Sequence, residues 1–95
     1  MAAYFIIYLQ SVKDPAALAE YRRLAVPAFE KSGAIVRVRG GRAEVLEGDA
    51  LQHVVMLEFP DLAAAKAWYD SPEYQAALEH RLAAAESYAV LVEGV

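Results

Sequence analysis

The first apolar burst, Tyr4-Phe5-Ile6-Ile7-Tyr8-Leu9, limits the possible folds more than any other stretch of the chain. Aromatic and β-branched side chains of this kind suit a pleated, half-buried surface, so the segment reads as a central strand. Side chains alternate across a strand, which puts Phe5, Ile7 and Leu9 on one face and Tyr4, Ile6 and Tyr8 on the other. A strand that is apolar on both faces must be covered on both. The segment from His53 to Phe59 repeats the demand, with Val55, Leu57 and Phe59 on one side and Val54 and Met56 on the other. Each large side chain left in water forgoes roughly 1.5–3 kcal/mol.

The rest of the chain supplies one cover. Asp14-Pro15 is an N-cap followed by proline at the first helical position. Beyond it Leu18, Tyr21, Ala25, Ala28 and Phe29 recur at three- and four-residue steps, and Glu20, Arg23, Glu30 and Lys31 fall mostly on the other side, as in an amphipathic helix that stops near Gly33. Pro27 removes the amide that would bond to the Arg23 carbonyl, which predicts a kink or an early end there. Ile35 to Arg39 reads as the second strand, Gly40-Gly41 as a bulge or sharp bend, and Ala43 to Glu47 as a resumed extended segment. Gly48-Asp49 has turn composition, so this region is expected to form an antiparallel hairpin with His53–Phe59. After Pro60, Asp61 caps a helix bearing Leu62, Ala65, Trp68 and Tyr69. Ser71-Pro72 restarts it with Tyr74, Leu78, Arg81, Leu82 and Ala85. Ser87 to Glu93 alternates as a last strand.

The order βαββαβ, with short connections and right-handed crossovers, predicts one α+β domain over residues 1–95. The plan is ferredoxin-like: a four-stranded antiparallel sheet with its helices on one face. The helix-free face would then expose a contiguous apolar patch, and no residues remain to build a lid over it. Such patches mark interfaces, and a second copy packed sheet to sheet about a two-fold axis is the expected cover. The chain is therefore expected to be a homodimer through that face.

Composition narrows the partners and the chemistry. Nine basic against thirteen acidic residues give a net charge of −4, the wrong sign for nucleic acid or an anionic membrane. No apolar run approaches the ~20 residues that span a bilayer. The start lacks the basic region of a signal peptide, so a cytoplasmic location is expected. With no cysteine there is no disulfide, thiolate nucleophile or cysteine metal site. No histidine pair has metal-binding spacing, and neither a metal nor a cofactor is expected.

Four stretches carry a resemblance: Arg39-Gly40-Gly41, Val45-Leu46-Glu47-Gly48, Leu57-Glu58-Phe59-Pro60 and Trp68-Tyr69-Asp70-Ser71-Pro72-Glu73-Tyr74. They resemble the hallmark segments of the bacterial family catalogued as domain of unknown function 1330, and the likeness spans nearly the whole chain. That family is similar in turn to the dimeric α/β-barrel superfamily, which includes cofactor-independent monooxygenases, small isomerases and haem proteins. The resemblance implies a ferredoxin-like dimer in which two sheets form a barrel, in agreement with the patch argument. It implies no activity.

Five residues stand out as candidate ligand-binding groups: Arg39, Glu58, Trp68, Tyr74 and Arg81. Trp68 and Tyr74 flank the Ser71-Pro72 break, where large flat side chains either fill the core or line a pocket. Arg39 adjoins the glycine pair, Glu58 ends an apolar strand, and Arg81 shares a helical stripe with Tyr74 and Leu78. Charges at such places are paired when buried, so these form either a structural Arg–Glu pair at the sheet edge or a pocket in which arginine grips a carboxylate. His53 and His80 have no motif around them. No nucleophile elbow or phosphate loop is present. Tyr8, Tyr21, Tyr74 and His80 are the candidate proton carriers if the chain is an enzyme. Three readings follow. The first is a homodimeric domain that binds a small organic anion. The second is a small cofactor-independent enzyme (monooxygenase, isomerase or lyase) acting on an organic or aromatic acid. The third is a structural or accessory subunit without a pocket.

Overall fold

The computed structural model describes all 95 residues. Strand β1 (Ala3–Val12) leads into helix α1 (Pro15–Ser32) and strands β2 (Ile35–Arg39) and β3 (His53–Phe59). Helices α2 (Leu62–Tyr69) and α3 (Pro72–Ala84) and strand β4 (Ala85–Glu93) complete it. The sheet runs β2-β3-β1-β4 with every neighbour antiparallel, which is the ferredoxin-like arrangement. No helix is long and apolar enough to cross a membrane.

Local chemistry sets the element ends. The Asp14 carboxylate accepts from the amides of Ala16 and Ala17, Pro15 opens α1, and Gly33 closes it at φ 76°. Asp61 caps α2 by accepting from the Ala64 amide at 2.7 Å. Ser71 separates the last two helices: its hydroxyl donates to the Trp68 carbonyl at 2.7 Å and accepts from the Tyr74 amide at 3.3 Å.

Two expectations fail: an early end of α1 at Pro27, and an extended segment over residues 43–47. Helix α1 runs through Pro27 to Ser32 without ending. One missing hydrogen bond is outweighed there by the packing of Ala25, Ala28 and Phe29, all buried on either side of the proline. Residues 43–47 form no strand; β2 and β3 pair as predicted but are joined by a loop over residues 40–52. Alternation in that segment buries nothing, since Val45 and Leu46 are 42% and 88% exposed, and no partner strand lies beside it.

The core lies between the helices and one face of the sheet. Phe5, Phe59 and Tyr74 are its largest fully buried side chains, and Trp68 packs on Tyr74 with ring centroids 4.2 Å apart. Phe5 meets the Trp68 ring edge to face at 5.1 Å. The opposite face has no helix. Register sets its residues in rows across the strands: Tyr88–Tyr8–Val54, then Val90–Ile6–Met56–Val38, then Val92–Tyr4–Glu58–Ile35. Tyr88 is 65% exposed, and Tyr8, Val90 and Val92 are exposed beside it.

A bulge adjusts strand β2. Val36 faces Leu57 and Val38 faces Met56, so Arg37 is an extra residue on β2. Without it Val38 would turn toward the helices and Arg39 toward the open face. With it, Arg39 lies opposite Val55, on the side where the helices pack.

Candidate functional site

Helix α1 stands over β1 and β3 and leaves a cavity of about 490 Å³ between itself and the sheet. Ile7, Leu9 and Val55 supply its floor, Leu18, Ala25 and Val26 its α1 wall, and Trp68 and Tyr74 one end. Twelve of the sixteen lining residues are hydrophobic. The remaining four are Arg22, Arg39, His53 and Arg81, so no carboxylate faces the space.

Arg81 is the unusual member. It lies in the last turn of α3, is 3% exposed, and has no carboxylate within ion-pair distance. Its Nη1 donates to Ser87 Oγ at 2.6 Å, and its guanidinium carbon sits 5.5 Å from the Tyr21 ring centroid. Its Nε has no hydrogen-bond partner in the protein, and neither has the buried Trp68 Nε1. A hydroxyl and a ring face are poor compensation for taking a full charge out of water.

Tyr21 and Tyr74 complete that end, their hydroxyl oxygens 3.0 Å apart. Burial, with Tyr21 beside it, pushes the Tyr74 phenol far above its usual range, although Arg81 pulls the other way. Tyr74 therefore stays a protonated hydroxyl that shares a hydrogen bond with Tyr21 and does not serve as a base.

At the other end His53 opens β3, paired with Leu9. Burial pushes its imidazole below the ordinary histidine value, and the Arg22 charge adds to the effect. Gly40 presses on the same ring: a Cβ there would lie 2.0 Å from His53 Cε1, and the backbone sits at φ 62°. The glycine is thus required both by its conformation and by the close approach of His53. Arg39 and Arg22 flank this end and are both exposed.

The fold gathers Arg39, Trp68, Tyr74 and Arg81 around one space. Glu58 is not among them and is withdrawn from the site. It lies on the helix-free face, where Arg37 Nε donates to its Oε1 at 3.0 Å. The expected Arg–Glu pair at the sheet edge exists, but Arg37 makes it rather than Arg39 or Arg81. Of the proposed proton carriers Tyr21 and Tyr74 line the cavity; Tyr8 is on the open face, and His80 does not line the cavity. Arg22 was not anticipated. Its signal was its position four residues after Leu18, on the edge of the apolar stripe of α1. No three His, Asp or Glu side chains cluster in a way that could hold a metal ion.

Comparison with known proteins follows this geometry. A model of the family described as domain of unknown function DUF1330 matches residues 2–95. A crystal structure of a protein of unknown function from Rhodopseudomonas palustris superposes with a TM-score of 0.79 at 25% identity, over 99% of this chain and 82% of that one. A dimeric ferredoxin-like protein of unknown function from Jannaschia matches with a TM-score of 0.73 at 17% identity, over 99% of this chain and 100% of that one. SnoaB, a cofactor-independent oxygenase from Streptomyces nogalater, matches with a TM-score of 0.68 at 13% identity, over 99% and 93% of the two chains. The last two likenesses speak for the fold alone. No curated protein matches the sequence.

Proposed function

The chain belongs to the DUF1330 family, and from that premise we propose that it is a cytoplasmic homodimer that binds a small organic anion between α1 and the sheet. One observation carries the reading: Arg81 is buried against an apolar cavity and lacks a counter-charge. A site built for its own stability would pair such a guanidinium with a carboxylate, and thirteen acidic residues were available. A ligand carboxylate would satisfy Arg81 and accept from the neighbouring tyrosine hydroxyls, with its apolar body on Ile7, Leu9 and Val55. The homodimer rests on the apolar rows of the open face, and the Jannaschia protein of like fold is described as dimeric.

The test is thermal denaturation with aliphatic and aromatic carboxylic acids, on the wild type and on Arg81→Met. A bound acid at ~100 times its dissociation constant adds about 2.7 kcal/mol, which for a domain of this size raises the melting temperature by roughly 10 °C or more. The shift should vanish in Arg81→Met. If no acid moves the wild type and Arg81→Met melts well below it, the arginine is structural and the reading fails.

A second reading, a cofactor-independent enzyme, has its own observation: a protonated Tyr74 at one end of the cavity and a histidine favoured in its neutral form at the other. These are a hydrogen-bonding hydroxyl and a candidate proton acceptor in one apolar space, on a fold shared with an oxygenase described as cofactor-independent. Under this reading Tyr74→Phe still binds the acid through Arg81, more weakly for the lost hydroxyl, and loses its turnover.

A further inference from the structure

The six arginines divide cleanly. Arg23, Arg37 and Arg42 each pair with a carboxylate, and none of them lines the cavity. Arg22, Arg39 and Arg81 have no carboxylate partner, and all three line it. In a chain of net charge −4 this places a wholly cationic lining around one apolar space, where low-dielectric walls focus the field on an entering anion.

The three charges are not in one place. Arg81 is tied to Ser87 of β4, and Ser87 lies opposite Leu9, which in turn lies opposite His53 of β3. Two strand spacings separate Ser87 from His53, roughly 10 Å. Arg39, turned to this side by the bulge at Arg37, lies opposite Val55, and Arg22 is near enough to depress the His53 imidazole. Between the two cationic ends the floor is Ile7, Leu9 and Val55, with no polar group.

Resting on the reading above, we infer that the ligand is a two-headed anion, an apolar-bodied dicarboxylate. One carboxylate sits on Arg81 beneath the β4 side, and the second is held by Arg39 and Arg22 at the β2 side. A monocarboxylate would satisfy Arg81 and leave the outer arginines unused. The outer pair is solvent-exposed, so it contributes selectivity more than bulk affinity, and bidentate arginine contacts favour a carboxylate there over a hydroxyl.

The experiment is calorimetric titration of the wild type with the α,ω-dicarboxylates from hexanedioate to decanedioate, each against the monocarboxylic acid of the same length, repeated on Arg39→Gln and Arg81→Met. We expect one chain length to bind best and its diacid to bind about tenfold tighter than its monoacid, the equivalent of ~1.4 kcal/mol. Arg39→Gln should erase that advantage, bringing the diacid down to the monoacid, and Arg81→Met should weaken both. Arg39 is exposed, so its variant leaves the core intact. Equal binding of diacid and monoacid, or a diacid advantage that survives Arg39→Gln, overturns the two-headed ligand and leaves the organic-anion reading standing. Binding of neither series to the wild type overturns both.

Discussion

The two faces of the sheet begin from the same strand and end in opposite solutions. On the helix side Phe5, Ile7 and Leu9 are buried, yet arginines without counter-charges surround the space beside them. On the open side Tyr4, Ile6 and Tyr8 remain partly or fully exposed, yet the one arginine there, Arg37, is paired with Glu58. Apolar surface left uncovered is a demand for a protein partner. Charge left unpaired in an apolar cavity is a demand for a ligand. Each face is complete in the respect in which the other is not, which argues that the two deficits are separate functions and not one poorly packed domain.

The largest effect should come from breaking the open face. Ile6 sits at the centre of its rows, between Val90 and Met56. In a sheet-to-sheet dimer Ile6→Arg places an uncompensated charge in the dry seam, a cost of roughly 3–5 kcal/mol for each copy, and the two-fold axis brings two copies together. With the open face as the seam, light scattering should give a dimer for the wild type and a monomer for Ile6→Arg. A dimeric Ile6→Arg would remove that face from the interface. The change touches no cavity residue, so carboxylate binding measured on the monomer also tests whether the two faces act independently.

Next in size is the apo stability of Arg81→Met. Even a buried ion pair is often replaced by apolar side chains with neutral or stabilising effect, by about 1–4 kcal/mol; Arg81 has no such pair to lose, and only its hydrogen bond to Ser87 offsets the gain. The variant should melt at or above the wild type while losing its ligand response. That combination, stability kept and binding lost, separates a residue held for a ligand from one held for the fold.

Gly40→Ala probes the joint between β2 and the cavity. The substituted residue would keep a left-handed backbone and meet the His53 ring, and strain of this kind costs about 1–3 kcal/mol. His53→Ala should recover the steric part but not the backbone part. A double-mutant cycle showing no coupling would mean that the ring simply swings away.

Much of this was legible in the sequence, for identifiable reasons. Alternation in β1 and β3 states which residues share a face, and cap residues at Asp14, Asp61 and Ser71 state where helices begin, because both signals are local. Tyr74, Leu78 and Arg81 share one helical stripe, and Trp68 joins Tyr74 across the Ser71-Pro72 break, so these could be grouped before any fold was known. What the sequence hid on the strand side has a common source in pairing. Whether Ala43–Glu47 is a strand depends on a partner it does not find, and the face of Arg39 depends on one extra residue at Arg37 that no periodicity reveals. The arginine that pairs with Glu58 was hidden for the same reason, since Arg37 reaches it through register and not through spacing.

The smallest effect is also the one that distinguishes the faces by chemistry alone. His53 belongs to the cavity side, and the open-face rows contain no histidine. Its folded pKa is lowered from 6.5, so the unfolded chain takes up the proton first as the pH falls. The stability tied to His53 is full above about pH 6.5, and it is lost as the pH falls through the lower folded value. This window opens at a higher pH than that of Glu20, whose carboxyl is held below 4.5 by its hydrogen bond to Arg23. His53→Gln should flatten the stability profile between neutral and mildly acid pH, and an unchanged slope there would assign it to another group. Binding should reverse the sign. A carboxylate lodged beside Arg39, Arg22 and His53 favours the imidazolium, so a dicarboxylate would bind more tightly as the pH falls from 7 toward 6, even as the free protein loses stability. A monocarboxylate confined to the Arg81 end should lack that dependence.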